Sequence, residues 1–240
     1  MTTYLRLEIL RVLRSVTFTG YTIGFPVGFY LLFTLVFARG MVQGTGFNAY
    51  YMVSMALYGA IGAGLMGVGA PIAMERTRGW TRQLALTPLR PGRYLVIKVA
   101  AASVLCLPVI LAILLAGRLV HGVDLDPLTW LALVPALWLG AMPFVGLGIA
   151  VGYTFRDEAA QGVSLAVYFL MSVAGGLWLP TEVFPDWLAD VAKVLPTYRA
   201  GELSWLLIAG ESPVSGGALV LLAWAGAFLG LAAWRFRRAS

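Results

Sequence analysis

Six apolar stretches near 20 residues each, none with a charge at its centre, constrain this chain more than any motif in it. A helix rises about 1.5 Å per residue, so about 20 apolar residues cross the roughly 30 Å of hydrocarbon in a bilayer. The stretches fall at residues 20–38, 49–73, 95–117, 128–152, 162–179 and 213–234. The chain is 60% hydrophobic and 12% charged, whereas soluble domains carry about 25% charge. The expected fold is an all-α integral membrane protein with six transmembrane helices, a single transmembrane domain over residues 1–240. Pro26, Pro108, Pro135 and Pro143 sit inside spans, where proline kinks a helix but is tolerated if neighbours satisfy the freed carbonyl.

Residues 4–14, YLRLEILRVLR, put Leu5, Ile9, Val12 and Leu13 on one helical face, with Arg6, Arg11 and Arg14 largely elsewhere. That stretch is too short and too charged to span, so residues 1–19 are expected as an interfacial helix in the headgroup plane. It is not expected to be a cleaved leader, because Glu8, Arg11 and Arg14 interrupt it and no short apolar core follows. With six spans both ends share a side. Arg39, Arg118, Lys193 and Arg199 fall on one side and the remaining thirteen of the 17 basic residues on the other. Excess Lys and Arg mark the cytoplasmic side, so both termini and residues 74–94 are expected inside. The net charge of +6 then reports loops facing anionic lipid, not a nucleic-acid partner.

Two connections are more than loops. Residues 75–98, ERTRGWTRQLALTPLRPGRYLVIK, hold six Arg or Lys and one Glu between two greasy segments. Over 75–87, Trp80, Leu84 and the arginine stems share a helical face, and Thr87-Pro88 stops the helix. A short amphipathic helix of this kind fits a groove on a soluble partner, although Arg76, Arg78 and Arg82 also suffice to anchor topology. On the other side, residues 180–212 alternate short apolar runs with Pro180, Pro185 and Pro196. Each run is too short to cross, so one or two short helices dipping into the outer leaflet are expected. The second span carries Gly59, Ala63, Gly67 and Ala56, Ala60, Gly64 at four-residue spacing. Such rows serve close helix packing, either within one subunit or between two.

Much chemistry is missing. No Gly-x-x-x-x-Gly-Lys-Ser/Thr occurs, and neither Lys98 nor Lys193 follows a glycine loop. The one histidine, His121, reads as a surface-loop residue, and the one cysteine, Cys106, as packing; neither points to a metal site. Ion-coupled carriers and intramembrane enzymes need ionisable groups at membrane depth, and these spans have none at their centres. No catalytic residue is assigned. If this protein moves something, its energy comes from another chain.

The run 75–98 resembles the first cytoplasmic loop of type-2 ABC exporter permeases, on Glu75, Arg76, Gly79, Leu84, Thr87, Pro88 and Leu89. Trp80 and Arg78 depart from the polar or acidic residues commoner there. Residues 175–205 look like the family's stretch from the end of span five through its outer helices, on Gly175, Gly176, Pro180, Pro185, Trp187, Leu188, Leu195, Pro196 and Tyr198. A weaker match is Arg156 to Gln161 before span five. The resemblance implies a coupling helix after span two that meets an ATPase through Glu75, Arg76, Gly79, Trp80, Arg82 and Leu84, with Glu75 and Arg82 at the groove rim. It also implies an outer gate or re-entrant segment including Pro180, Trp187, Pro196 and Tyr198, although Trp187 suits an interfacial belt as well. Two ATP-binding cassette ATPase subunits carrying ATP and Mg, and a second copy of the chain or a paralogous permease, complete the implied assembly. No cofactor is expected in this chain.

The expected function is the permease subunit of an exporter in the cytoplasmic membrane, moving an amphipathic or hydrophobic drug, antibiotic or lipid-like molecule. Phe25, Phe29, Phe33, Tyr58 and Tyr168 are candidates to line its path, with lipid contact or packing the alternative for each. A lipid-modifying membrane enzyme and a non-transporting scaffold or sensor are the other classes considered.

Overall fold

Small residues crowd the second apolar block, and a helix of small residues can be approached closely from every side. That block lies at the centre of the molecule. The structure, a computed structural model, describes residues 16–37, 40–42, 45–80, 91–213 and 216–239, together with Leu10 and Gln83. Eight α-helices occur among the described residues: α1 Val16–Phe37, α2 Phe47–Thr77, α3 Pro91–Val120, α4 Pro127–Thr154, α5 Asp157–Ala174, α6 Asp186–Ala192, α7 Pro196–Ile208 and α8 Gly216–Ala239. A minimal antiparallel ribbon, β1 Met41–Val42 with β2 Thr45–Gly46, precedes α2 and pairs Met41 with Gly46. No pattern in residues 41–46 announces this ribbon.

Helix α2 has 31 residues, about 46 Å of helix, and its apolar window is 94% buried. It is wrapped by α1, α3, α4, α5 and α7, while α8 lies against α4 and α7. The tightest seam runs between α2 and α4. A Cβ on Gly148 would lie 2.5 Å from the Leu65 carbonyl oxygen, and one on Gly152 would lie 2.6 Å from that of Gly69. The two backbones touch there, and any side chain would drive them apart. Ala56, Gly59, Ala60, Ala63 and Gly64 are all buried inside the chain, so these small residues of α2 serve packing within one subunit.

Among the described residues, five helices, α1, α2, α3, α4 and α8, are long and apolar enough to cross a membrane. The expected span 162–179 corresponds to α5, which begins five residues earlier, on Asp157 and Glu158, and stops at Ala174. Acids in a first turn complement the positive end of the helix dipole, which accounts for the early start. Residues 175–180 leave the helix at Gly175 and Gly176, the latter with φ of +80°. The expected interfacial helix over 1–19 lies outside the described residues, apart from Leu10 and the first turn of α1.

At the end opposite the basic run, Asp126 caps α4 by accepting from the amides of Leu128 and Thr129, both at 3.0 Å, with Pro127 opening the helix. His121 is not a free surface residue as the sequence suggests. Its Nε2 lies 2.7 Å from Thr34 Oγ1, and its ring meets Tyr30 edge-on at 5.1 Å. The Thr34 hydroxyl donates back to the Tyr30 carbonyl at 2.6 Å. The Thr34–His121 contact thus ties α1 to the loop that follows α3.

Candidate functional site

Helix α2 ends at Thr77 because Gly79 adopts a φ of +72°, in the left-handed region that glycine enters without steric cost. The amides of Arg78 and Gly79 turn back to Met74 and Arg76 carbonyls at 3.0 and 3.1 Å. Trp80, the next residue, is 42% exposed. This turn divides the expected partner-binding set. Glu75 was placed by the sequence at the rim of a partner's groove, but only 6% of it is exposed. Its carboxylate faces inward, with Lys98 Nζ 2.6 Å from Oε1 and the Tyr94 hydroxyl donating to Oε2 at 2.5 Å. Arg76 also turns inward: Nη1 donates to the Gly152 carbonyl at 2.8 Å and the guanidinium lies 5.1 Å from the Tyr153 ring centre. The physical reason is shared. A charge in the last turn of a helix packed on both flanks is taken up by its neighbours before any partner arrives. Gly79 makes the turn and Trp80 faces out; Arg82 and Leu84 lie outside the described residues, as do Thr87, Pro88 and Leu89.

The five candidate pathway aromatics come together toward the other end. Phe25, Phe29 and Phe33 share one face of α1 at four-residue spacing, the spacing that stacks side chains along a helix. Phe25 lies 4.5 Å from Phe29, and Phe29 lies 5.6 Å from Phe33. Tyr58 of α2 lies 6.3 Å from Phe25 and stacks on Tyr168 of α5 at 4.4 Å. The Tyr168 hydroxyl donates to the Tyr58 carbonyl at 3.0 Å. The hub of the cluster is a residue that the sequence reading missed. Trp178, in the stretch after α5, sits 4.9 Å from Phe29, 5.3 Å from Tyr58 and 5.3 Å from Phe169. Its indole Nε1 is buried without a hydrogen-bond partner. None of these rings belongs to a charged residue, so the cluster offers apolar and π-faced surface with one spare N–H donor.

The segment after Trp178 is fastened across the top of α2. Pro180 caps a single 3-10 turn, Thr181–Val183, and Trp187 on α6 is 68% exposed. Pro196 opens α7 in a buried position. Tyr198 packs edge-on against Trp205 at 5.6 Å and lies under the Arg199 guanidinium at 5.6 Å. The Trp205 indole donates to Ser54 Oγ at 3.0 Å, the Tyr50 hydroxyl to the Gly176 carbonyl at 3.1 Å, and the Thr197 hydroxyl to the Met171 carbonyl at 2.6 Å. Pro196 and Tyr198 thus belong to an anchored helix, while Trp187 stands apart on the outside.

Comparison with known proteins gives two findings. The family model described as "ABC-2 family transporter protein" matches residues 39–235. The chain is also similar to "Putative transport permease YvfS" of Bacillus subtilis (strain 168), with 33% identity over 219 residues, 90% of this chain and 89% of that protein.

Proposed function

The chain belongs to the ABC-2 transporter family, and we propose that this multi-pass permease exports amphipathic or hydrophobic small molecules, powered by a separate ATPase subunit. Membership implies an ABC ATPase partner in general. In this reading α5 also crosses, as the fifth of six spans, so that both termini and residues 74–94 face the cytoplasm. Two such chains stand over two ATPase subunits, and ATP and Mg bind the ATPases rather than this chain. The assembly sits in the cytoplasmic membrane.

One observation carries the reading. Directly beyond a helix end whose own charges are turned inward, the chain presents an exposed Trp80. A large aromatic is a poor residue to leave in water and a good one to bury in a partner's groove. Closure of the ATPases around nucleotide then moves residues 78–90, and the packed helices follow as rigid bodies between two arrangements. The cluster of Phe25, Phe29, Phe33, Tyr58, Tyr168 and Trp178 supplies the apolar passage, and the segment over 180–212 is its outer cover. Uncharged walls suit a drug, an antibiotic or a lipid-like cargo.

Reconstitution tests this directly. The purified chain in nanodiscs should hydrolyse no ATP alone, and should raise the hydrolysis of its ATPase when apolar cargo is added. Hydrolysis that survives removal of every co-purifying ATPase, or a permease that never alters the ATPase rate, would sink the proposal.

A further inference from the structure

Residues 78–90 connect α2 to α3 in the sequence, and a buried ionic cluster joins these two helices. Glu75 lies in the last turn of α2 and Lys98 two turns into α3; their side chains are 7% and 1% exposed and 2.6 Å apart. Tyr94, 4% exposed and one turn before Lys98, donates to the second oxygen of the same carboxylate at 2.5 Å. Lys98 Nζ also lies 5.5 Å from the centre of the Tyr94 ring. One carboxylate thus receives two donors from one face of α3. Arg76, adjacent to Glu75, reaches the other way to the Gly152 carbonyl in the last turns of α4.

Apolar contacts tolerate sliding, because one methyl replaces another at small cost. A carboxylate held by an ammonium and a phenol does not. Moving α3 along α2 by one residue shifts both donors by about 1.5 Å. In a site closed to water, pulling that carboxylate away from the ammonium and the phenol is costly. The cluster therefore fixes the register of α2 against α3, while Arg76 ties α4 to the same end.

We infer that Glu75, Tyr94 and Lys98, with Arg76, form a register clamp that converts displacement of residues 78–90 into movement of α2, α3 and α4 as one body. These are positioning residues; the contact with the ATPase is made by the segment they carry. The inference rests on the reading of that segment as the ATPase contact.

The test uses the full chain in nanodiscs, with Cys106→Ala as background, and has two arms. Glu75→Gln with Lys98→Met removes both charges at similar volume, a change that buried ion pairs often tolerate without loss of stability. Spin labels at positions 78 and 92 report, without any ATPase, how tightly the two helix ends are held. The clamp expects the double variant to recruit the ATPase normally, to show a broader label distance distribution than the unsubstituted pair, and to move about tenfold less cargo per ATP. The exchanged pair, Glu75→Lys with Lys98→Glu, should narrow the distribution again and recover transport. A neutral pair with an unchanged distribution overturns the clamp, as does one that broadens it yet keeps full cargo per ATP. Should the double variant fail to fold, Tyr94→Phe removes one donor, keeps both charges and carries both arms at smaller amplitude. A permease that never engages an ATPase refutes the functional reading instead, and the distance arm then decides the clamp by itself.

Discussion

Tyr168 stacks its ring on Tyr58 at 4.4 Å and donates its hydroxyl to the carbonyl of that same residue at 3.0 Å. The pair fixes α5 against α2 by face and by hydrogen bond together. Tyr168→Phe keeps the stack and loses the bond, so it should cost about 0.5–1.5 kcal/mol. Tyr168→Ala empties the site and should cost about 3–5 kcal/mol. Melting in detergent, followed by size exclusion, measures both. Equal costs for the two variants would mean that the stacking contributes nothing.

Trp80→Ala should weaken ATPase recruitment by about 2 kcal/mol or more if the indole fills a partner's groove. Arg90→Ala, beyond the Thr87-Pro88 pair in sequence, should change recruitment by no more than about 1 kcal/mol, the scale of a rim charge. Co-purification of the ATPase with each variant, after checking membrane insertion, separates a docking residue from a topological anchor. Full recruitment by Trp80→Ala would leave the loop an anchor only.

Cysteine placed at the exposed Asp186 should react with an impermeant maleimide in intact cells, and cysteine at the exposed Arg78 should not, both in a Cys106→Ala background. The bias of basic residues toward one side motivates this orientation. Labelling at 78 and not at 186 reverses it.

Gly148→Ala places a methyl 2.5 Å from the Leu65 carbonyl oxygen and should destabilise by about 1–3 kcal/mol through overpacking. Gly230→Ala on α8 meets no atom within 4 Å and should stay within about 0.5 kcal/mol of the parent. Paired melting curves give the difference, and a Gly148→Ala as stable as Gly230→Ala would refute the seam.

The α4 cap predicts an acid dependence. The Thr129 hydroxyl and amide, then the Leu128 amide, hold the Asp126 carboxyl below its ordinary range. A carboxyl lowered by folding stabilises above its unfolded pKa of about 3.9 and loses that contribution as pH falls through the lower folded value. Asp126→Asn keeps a capping oxygen but has no proton to take up. The fall in melting temperature from pH 6 to pH 3 should therefore be smaller in Asp126→Asn than in the parent; identical falls would exclude the cap.

How far the sequence could be read depended on whether one residue sufficed to state a preference. Blocks of apolar residues declare a membrane helix by themselves, and the glycines and alanines of α2 announced close packing, though not whether the neighbour was this chain or another. The end of α5 was misjudged because Leu177, Trp178 and Leu179 are as apolar as the helix before them; only the glycine pair turns the chain there. Trp178 escapes notice for the same cause, since it falls inside the expected span 162–179 and nothing local marks it from its apolar neighbours. Glu75 was read as outward-facing because its partner Lys98 lies 23 positions away, beyond any helical spacing. The meeting of Phe25, Phe29 and Phe33 with Tyr58 and Tyr168 depends equally on three helices that no local pattern brings together.

The enclosure of α2 also sets an order of events in synthesis. Among the described helices that cover it, α1 precedes it; α3, α4, α5 and α7 are made afterwards. Ser54 receives its indole donor only when Trp205 has been translated, and the Tyr50 hydroxyl waits for Gly176. The Tyr50 hydroxyl and Ser54 of this deeply buried helix therefore spend most of translation without those partners. Helices enter the bilayer one after another, but the bundle closes only once the chain has passed residue 205, so insertion and folding are separate stages in the birth of this molecule.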